Sequence, residues 1–143
     1  MANVKTRTLV QPYLQFNGRT EEALEFYQQA LGAEIQMMMR FSQAPEACPT
    51  PTPGDKIMHA AFRIGETEVL ATDGGCAQGV SAVGFHGFSL NLNVADEETA
   101  ERYYAALSQG GQPQVPLAPT FFARKFGTVV DKFGVNWMVL VLA

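Results

Sequence analysis

The pattern of apolar and polar positions predicts two amphipathic helices, Glu21–Leu31 and Glu97–Leu107. Apolar residues recur at three- and four-residue spacing in both, and two glutamates at each start complement the positive end of a helix dipole. Six of the eleven residue pairs are identical when residue 21 is aligned with residue 97. Thr20 and Asp96 are the predicted N-caps, and glycines follow both segments as predicted stops. The chain therefore contains an internal repeat.

Short apolar or alternating runs flank both helices in the same order. One run precedes each helix and three follow it, which predicts the order β-α-β-β-β twice. We therefore expect an α+β domain covering 1–143, with modules at about 7–73 and 87–143 and a glycine-rich connector at about 74–86. The predicted strands are 9–16, 35–41, 57–64, 67–71, 87–94, 114–117, 122–130 and 135–142.

Composition and charge exclude several functional classes for this protein. The chain has 143 residues, 47% of them hydrophobic and 17% charged, which suits one folded domain with a sizeable core. The net charge is −4, and the longest basic run is Arg124-Lys125, so we expect no nucleic-acid partner. No apolar run approaches the roughly 20 residues that span a bilayer, and no secretion signal opens the sequence. We therefore expect a cytoplasmic protein without membrane contact.

Cys48 and Cys76 both lie in loop-like sequence. They allow either a disulfide or two free thiols, and free thiols are the expectation for a cytoplasmic protein. Four prolines in residues 42–56 exclude a helix or strand interior there, which indicates a loop used as a lid or a partner-binding arm.

The C-terminal sequence predicts a hairpin closed by the turn Asp131-Lys132-Phe133-Gly134. With the repeated element order, this hairpin resembles the vicinal-oxygen-chelate superfamily, which includes glyoxalase I, bleomycin-resistance proteins and extradiol dioxygenases. Within it, the chain is most similar to the PhnB-like group. The motifs that carry this resemblance are Pro12-Tyr13-Leu14-x-Phe16-x-Gly18, Ile57-Met58-His59-Ala60 followed by Ile64-Gly65, and Phe126-Gly127-x-Val129-x-Asp131-x-Phe133-Gly134-Val135-x-Trp137-Met138.

The resemblance implies two modules that form a curved, cup-like mixed sheet around a small-molecule cavity, in a homodimer. It also implies metal ligands on the first and last strands of each module. Those positions fall at Gln11, at Val69 (or Glu68, if the alignment is one residue off), near Phe88 or Ser89, and at Met138, where metal-bearing relatives have a glutamate. Gln, Val, Ser and Met are poor ligands for divalent ions, so we expect no metal and no cofactor.

Other side chains are candidates for ligand contact. Phe122 and Arg124 are two residues apart on a predicted strand, so they are expected to share a face and to offer an aromatic wall and an anion clamp. Arg124 has the alternative of a rim residue paired with a helix glutamate. His59 is either a half-buried residue that bonds backbone or a cavity-facing acid–base group.

These residues give a candidate ligand-binding set of His59, Phe122, Arg124, Gln11, Ser89 and Met138. The sequence favours a metal-free small-molecule-binding protein. A lyase or isomerase acting on a small oxygenated substrate is the alternative. PhnB-like proteins are often labelled 3-demethylubiquinone 3-methyltransferases, but the chain lacks the glycine-rich strand–helix turn typical of an S-adenosylmethionine site.

Overall fold

A computed structural model describes residues 7–44, 53–74 and 84–143. Both cysteines and the central part of the proline-rich segment lie outside these residues, and so does most of the connector. The expectations for Cys48, Cys76 and the proline-rich loop therefore stay predictions. No helix in the described part of the chain is long and apolar enough to cross a membrane.

The predicted order β-α-β-β-β occurs twice, as the repeat requires. Strand ends differ from the sequence prediction by up to four residues, and a single 3-10 turn, Phe41–Gln43, follows the second strand. The elements are β1 Tyr13–Gln15, α1 Thr20–Leu31, β2 Glu34–Arg40, β3 Ile57–Ile64, β4 Thr67–Thr72, β5 Leu90–Asn93, α2 Glu97–Ser108, β6 Gln112–Ala118, β7 Ala123–Val130 and β8 Asn136–Leu142.

Each module forms its own four-stranded mixed sheet with the same topology. The first sheet has the order β1-β4-β3-β2 and the second the order β5-β8-β7-β6. In both, the first strand of the module pairs in parallel with the last, and the other pairs are antiparallel. The chain divides into two compact units, and the division falls inside α1. Phe26–Leu31 belongs to the second unit, whereas the start of α1 belongs to the first.

The start of α1 is tied to the first sheet by a buried carboxylate. Asp73, directly after β4, accepts hydrogen bonds from the backbone N–H groups of Thr20 (2.8 Å) and Ile57 (2.7 Å). Asp73 therefore caps the helix from a distance, where a negative charge meets the positive helix end. The prediction of Thr20 as N-cap was wrong, because Thr20 is the first helical residue. The sequence offered no sign of these two donors, because they lie 53 and 16 residues away along the chain.

The second unit is organised around Asp131, another buried carboxylate. Its Oδ1 accepts the backbone N–H groups of Phe133 (2.8 Å) and Val135 (3.1 Å). Its Oδ2 accepts the hydroxyl of Tyr27 (2.6 Å) and the indole N–H of Trp137 (2.8 Å). The predicted turn is confirmed, since the N–H of Gly134 bonds the carbonyl of Asp131 at 2.9 Å. Burial, followed by the charge and hydrogen bond of Asp131, raises the pKa of Tyr27 well above its usual value.

Helix α2 packs across β6, β7 and β8 of the second sheet. Asp96 is its N-cap, as predicted, and accepts the backbone N–H of Thr99 at 2.7 Å. Close packing on this face requires a glycine in β7. A Cβ at Gly127 would lie 2.9 Å from both Leu117 Cα and Tyr104 Cε2. The hydroxyl of Tyr104 donates to the carbonyls of Val115 (2.8 Å) and Thr128 (3.2 Å).

Candidate functional site

The first sheet has one buried face and one open face. Leu14, Phe62 and Val69 mark the buried face, where each is almost fully enclosed. Their neighbours along the strands point to the other side, because successive side chains of a strand alternate. We call this other side the open face of the first sheet. It includes Tyr13, which is 52% exposed, and Met37, which is 37% exposed.

Strand register arranges the open face of the first sheet in three cross-strand rows. A polar row lies at one end, an apolar row in the middle and a mixed row at the other end. The polar row is Gln11, Glu68, Arg63, Glu34; the apolar row is Tyr13, Leu70, Ala61, Met37; the mixed row is Gln15, Thr72, His59, Met39.

Tyr13 and His59 form a hydrogen-bonded pair across this face. The Tyr13 hydroxyl lies 3.0 Å from His59 Nδ1, and the two rings meet edge to face with centroids 5.6 Å apart. His59 is half-buried on the open face and bonds a side chain. His59 therefore bonds the Tyr13 hydroxyl, and not the backbone as one of its two interpretations proposed. The same hydrogen bond positions the imidazole ring and leaves Nε2 as its other polar atom.

Gln11 also lies on the open face, where its side-chain N–H donates to a carboxylate oxygen of Glu68 at 2.9 Å. Val69, the first choice for the neighbouring metal-ligand position, is buried in the core instead. Glu68, the alternative with a one-residue offset, lies on the open face beside Gln11. The next residue across the sheet, Arg63, forms a 2.9 Å ion pair with Glu34.

The second sheet likewise has a buried and an open face. Trp137 and Val139 are enclosed, so Met138 between them points to the open face. The residue beside Met138 is Asn91, since β5 pairs with β8 at Asn91↔Met138. Ser89, predicted near this position, precedes β5 and is exposed. Asn91 is the polar neighbour that sequence counting missed, because the strand prediction began three residues too early.

Phe122 belongs to an aromatic cluster at the start of β7. Its ring packs edge to face against Phe121 and Phe126, with both centroid distances 5.2 Å. Phe121 is 98% exposed. Phe122 precedes β7, and the pairing of β7 with β8 is irregular between Ala123 and Lys125. The argument from strand alternation, which paired Phe122 with Arg124, therefore does not apply.

The Arg124 side chain extends over the surface of the second unit. Its guanidinium donates to the carbonyls of Ala95 (3.0 Å) and Leu142 (3.3 Å). The neighbouring Lys125 is the residue that approaches a helix glutamate, with Nζ 3.6 Å from Glu101. The roles of Phe122 and Arg124 as ligand contacts stay predictions.

Neither open face offers the donors of a typical divalent metal site. Structural and catalytic zinc sites use at least three His, Cys, Asp or Glu ligands. Gln11 and Glu68 supply one amide and one carboxylate on the first sheet, and Asn91 and Met138 supply an amide and a thioether on the second. Across residues 7–44, 53–74 and 84–143, no group of three His, Cys, Asp or Glu side chains lies close enough together to hold a metal ion. The residues therefore do not fit the metal that the superfamily commonly uses.

Comparison with known sequences identifies relatives along almost the whole chain. Residues 8–140 match the model of a family described as 3-demethylubiquinone-9 3-methyltransferase. Protein YjdN from Escherichia coli strain K12 is 34% identical over 140 residues, which cover 92% of this chain and 93% of YjdN.

Solved structures share the fold. Protein PA1353 from Pseudomonas aeruginosa is 41% identical with a TM-score of 0.84, and the match covers 95% of this chain and 98% of that one. A PhnB protein from Bacillus cereus, described as a putative 3-demethylubiquinone-9 3-methyltransferase, is 27% identical with a TM-score of 0.76 and coverage of 94% and 99%. The fosfomycin-resistance protein FosX from Mesorhizobium loti is 11% identical with a TM-score of 0.60, covering 96% and 93%, and shows a likeness of fold alone.

Proposed function

The chain belongs to the family described as 3-demethylubiquinone-9 3-methyltransferase, a PhnB-like part of the vicinal-oxygen-chelate superfamily, and we propose that it binds a small organic molecule without a metal. The observation that carries this proposal is the composition of the open face of the first sheet. Its middle row is apolar, from Tyr13 to Met37, and its hydrogen-bonding groups lie beside that row. Ligand sites combine apolar walls with a few placed polar groups in this way.

The methyltransferase activity in the family's description receives no support from the strand–helix connections. A typical S-adenosylmethionine site uses a glycine-rich turn between a parallel strand and a helix. Here β1 leads to α1 through Phe16–Arg19, and β5 leads to α2 through Val94–Asp96. Each connection is three or four residues long, and together they contain one glycine, Gly18. We therefore attribute ligand binding, and not methyl transfer, to this chain.

A ligand screen with two readouts tests the proposal. Binding to the folded state raises thermal stability, by about 2.7 kcal/mol when the ligand is at a hundred times its dissociation constant. A metabolite and antibiotic library would be screened by thermal shift, with protein treated with a chelator as a second sample. Hits would then be added to protein labelled with carbon-13 at its methionine methyl groups. Met37, Met39 and Met138 lie on the open faces, so their signals are expected to move.

Two results would contradict this proposal. One is the absence of any stabilising compound, and the other is stabilisation that disappears in the chelator-treated sample. Met58 provides an internal control in the methyl spectra, because it belongs to β3 on the side opposite His59. A ligand at the open face should shift Met37 or Met39 more than Met58.

The Tyr13–His59 pair favours a second candidate function, that of a lyase or isomerase. A histidine oriented by a hydrogen bond can move protons to and from a bound substrate. The contact at 3.0 Å fixes the ring, as a general acid–base group requires. Loss of turnover with retained binding in a His59→Gln variant would support this alternative. Turnover that is unaffected by that change would remove it.

We further propose that the protein is a cytoplasmic homodimer, as expected from its sequence. The support is the family membership together with exposed apolar side chains on the second unit. Phe121 and Phe122 pack against each other, and both remain exposed to solvent. Such patches commonly mark interaction surfaces.

A further inference from the structure

We propose that the open face of the first sheet selects a neutral aromatic ligand that bears a carbonyl oxygen, with His59 as the hydrogen-bond donor. This inference rests on the proposed function and specifies its ligand class. It uses side chains of one sheet, namely Tyr13, Ala61, Leu70, Met37 and His59.

The shape of the apolar row indicates a flat ligand. Ala61 lies in this row between Leu70 and Met37, and it is the shortest side chain among them. It is only 7% exposed, although it belongs to the open face. The longer side chains around it therefore cover most of it, and Ala61 is the position of this row with the least bulk. A planar ring laid over Ala61 would contact the Met37 thioether, and sulfur–aromatic contacts are favourable.

The donor is supplied by the tautomer that the Tyr13 contact favours. A phenol hydroxyl is a good donor, and Nδ1 of neutral histidine accepts when the proton is on Nε2. In the proposed arrangement Tyr13 donates to Nδ1 across the 3.0 Å contact, and His59 then carries its own hydrogen on Nε2. Nε2–H is then available for an acceptor on a ligand beside the apolar row. Tyr13 acts here as a positioning residue that fixes the tautomer.

The pairing of the charged side chains on this face indicates that the ligand is neutral. Its charged members are Glu34, Arg63 and Glu68, so the row carries one more negative than positive charge. Arg63 is already paired with Glu34 at 2.9 Å, and Glu68 accepts from Gln11 at 2.9 Å. A carboxylate ligand beside His59 would find no unpaired cation in the three rows, and an unpaired charge taken out of water is costly. A carbonyl oxygen accepts from Nε2–H without bringing a charge.

Three probes of similar size test these statements on the complete protein. Acetophenone has an aromatic ring and a carbonyl, ethylbenzene has the ring alone, and benzoate has the ring and a negative charge. Affinities would be measured from the methionine methyl signals of Met37 and Met39, assigned through single Met→Leu variants. We expect acetophenone to bind about five times more tightly than ethylbenzene, the factor for one net hydrogen bond. Benzoate is expected to bind most weakly.

Matched variants separate the roles of the residues. His59→Phe keeps a ring and removes the donor, so the preference for acetophenone over ethylbenzene should vanish. His86→Phe changes the other histidine of the chain and should leave the preference intact. Tyr13→Phe should reduce the preference without abolishing it, because Nε2–H is then no longer fixed. Ala61→Leu adds bulk in the middle of the apolar row and should weaken both neutral probes alike.

Each outcome bears on a different statement. Equal binding of acetophenone and ethylbenzene, or an unchanged preference in His59→Phe, would overturn the ligand class while leaving small-molecule binding possible. Tightest binding by benzoate would overturn the argument from charge. If no probe shifts Met37 or Met39 even at millimolar concentration, the proposed site is wrong. The library screen then still decides the proposed function, through ligands that act elsewhere.

Discussion

Replacing Asp131 by asparagine tests whether the second unit depends on its buried carboxylate. The change conserves size but turns one oxygen into an NH₂ group. Four donors converge on the carboxylate, two on each oxygen, at 2.6–3.1 Å. The amide can accept from one pair only, and its NH₂ group would face the other pair. A buried donor left without an acceptor costs about 1–3 kcal/mol.

We therefore expect Asp131→Asn to lower the free energy of unfolding by roughly 3–5 kcal/mol, for two lost hydrogen bonds to a charged group. Tyr27→Phe removes one donor and leaves three, so about 1.5–3 kcal/mol is expected. In the double variant the losses should add to less than their sum, by roughly 1–2 kcal/mol, because the two side chains contact each other directly and share a hydrogen bond.

Urea unfolding would measure these changes, followed by the fluorescence of Trp137, the single tryptophan of the chain, and by far-UV circular dichroism. Coincident curves would support the two-state treatment that the free energies need. Asp96→Asn is the control, because Asp96 is an exposed N-cap with one backbone partner and should matter less. A loss below about 1 kcal/mol for Asp131→Asn would refute the reasoning, since even one buried orphan costs that much.

The same network predicts how stability depends on pH. Burial and Asp131 raise the pKa of Tyr27, so the folded protein keeps this proton when the unfolded chain releases it. The contribution is fully present below about pH 10 and is lost as pH rises above it, with a slope of up to about 1.4 kcal/mol per pH unit. Unfolding at pH 8 to 11 should show a shallower alkaline loss in Tyr27→Phe than in the unmodified protein. An identical slope would contradict the assigned shift.

Four further outcomes are expected. Asp73→Ala should cost roughly 2–4 kcal/mol in urea unfolding, because the N–H groups of Thr20 and Ile57 lose their acceptor; a loss under 1 kcal/mol would be too small for two such bonds. Gly127→Ala should cost about 1–3 kcal/mol by overpacking, and a neutral result would show that α2 can shift away. Met138→Glu should raise Ni²⁺ affinity only slightly in calorimetry, since a second strong ligand is still missing; tight one-to-one binding would contradict this. Sedimentation at micromolar concentration should give a dimer, and a monomer would count against the proposed assembly.

The architecture could be predicted from the sequence because its signals are local or repeated. Helical spacing identified both helices, and the recurrence of their flanking strands identified the two modules. The Asp131 turn was found for the same reason, since its residues are adjacent in sequence. Its bonds to the side chains of Tyr27 and Trp137 were not predicted. Tyr27 lies 104 residues away, and no local pattern specifies that partner.

The candidate site was less accessible to sequence analysis, because register decides which residues are neighbours. The choice between Val69 and Glu68 depended on an offset of one residue, which moves a side chain to the other face. Asn91 was missed because β5 is shorter than its alternating sequence suggests. The Tyr13–His59 contact joins two motifs of the family resemblance, yet the distance between them is a property of the folded sheet.

Because α1 is divided between the two units, a fragment that contains only the first module would lose contacts of this helix. Each module has its own sheet, yet Phe26–Leu31 from the first half of the chain belongs to the second unit. Tyr27, fully enclosed in the complete chain, would lose Asp131 in a fragment that ends at the connector. During synthesis the ribosome must add more than a hundred residues after Tyr27 before that acceptor exists. The first half of the chain alone therefore lacks an acceptor that its own helix uses, and this contact can form only after the last hairpin has been translated.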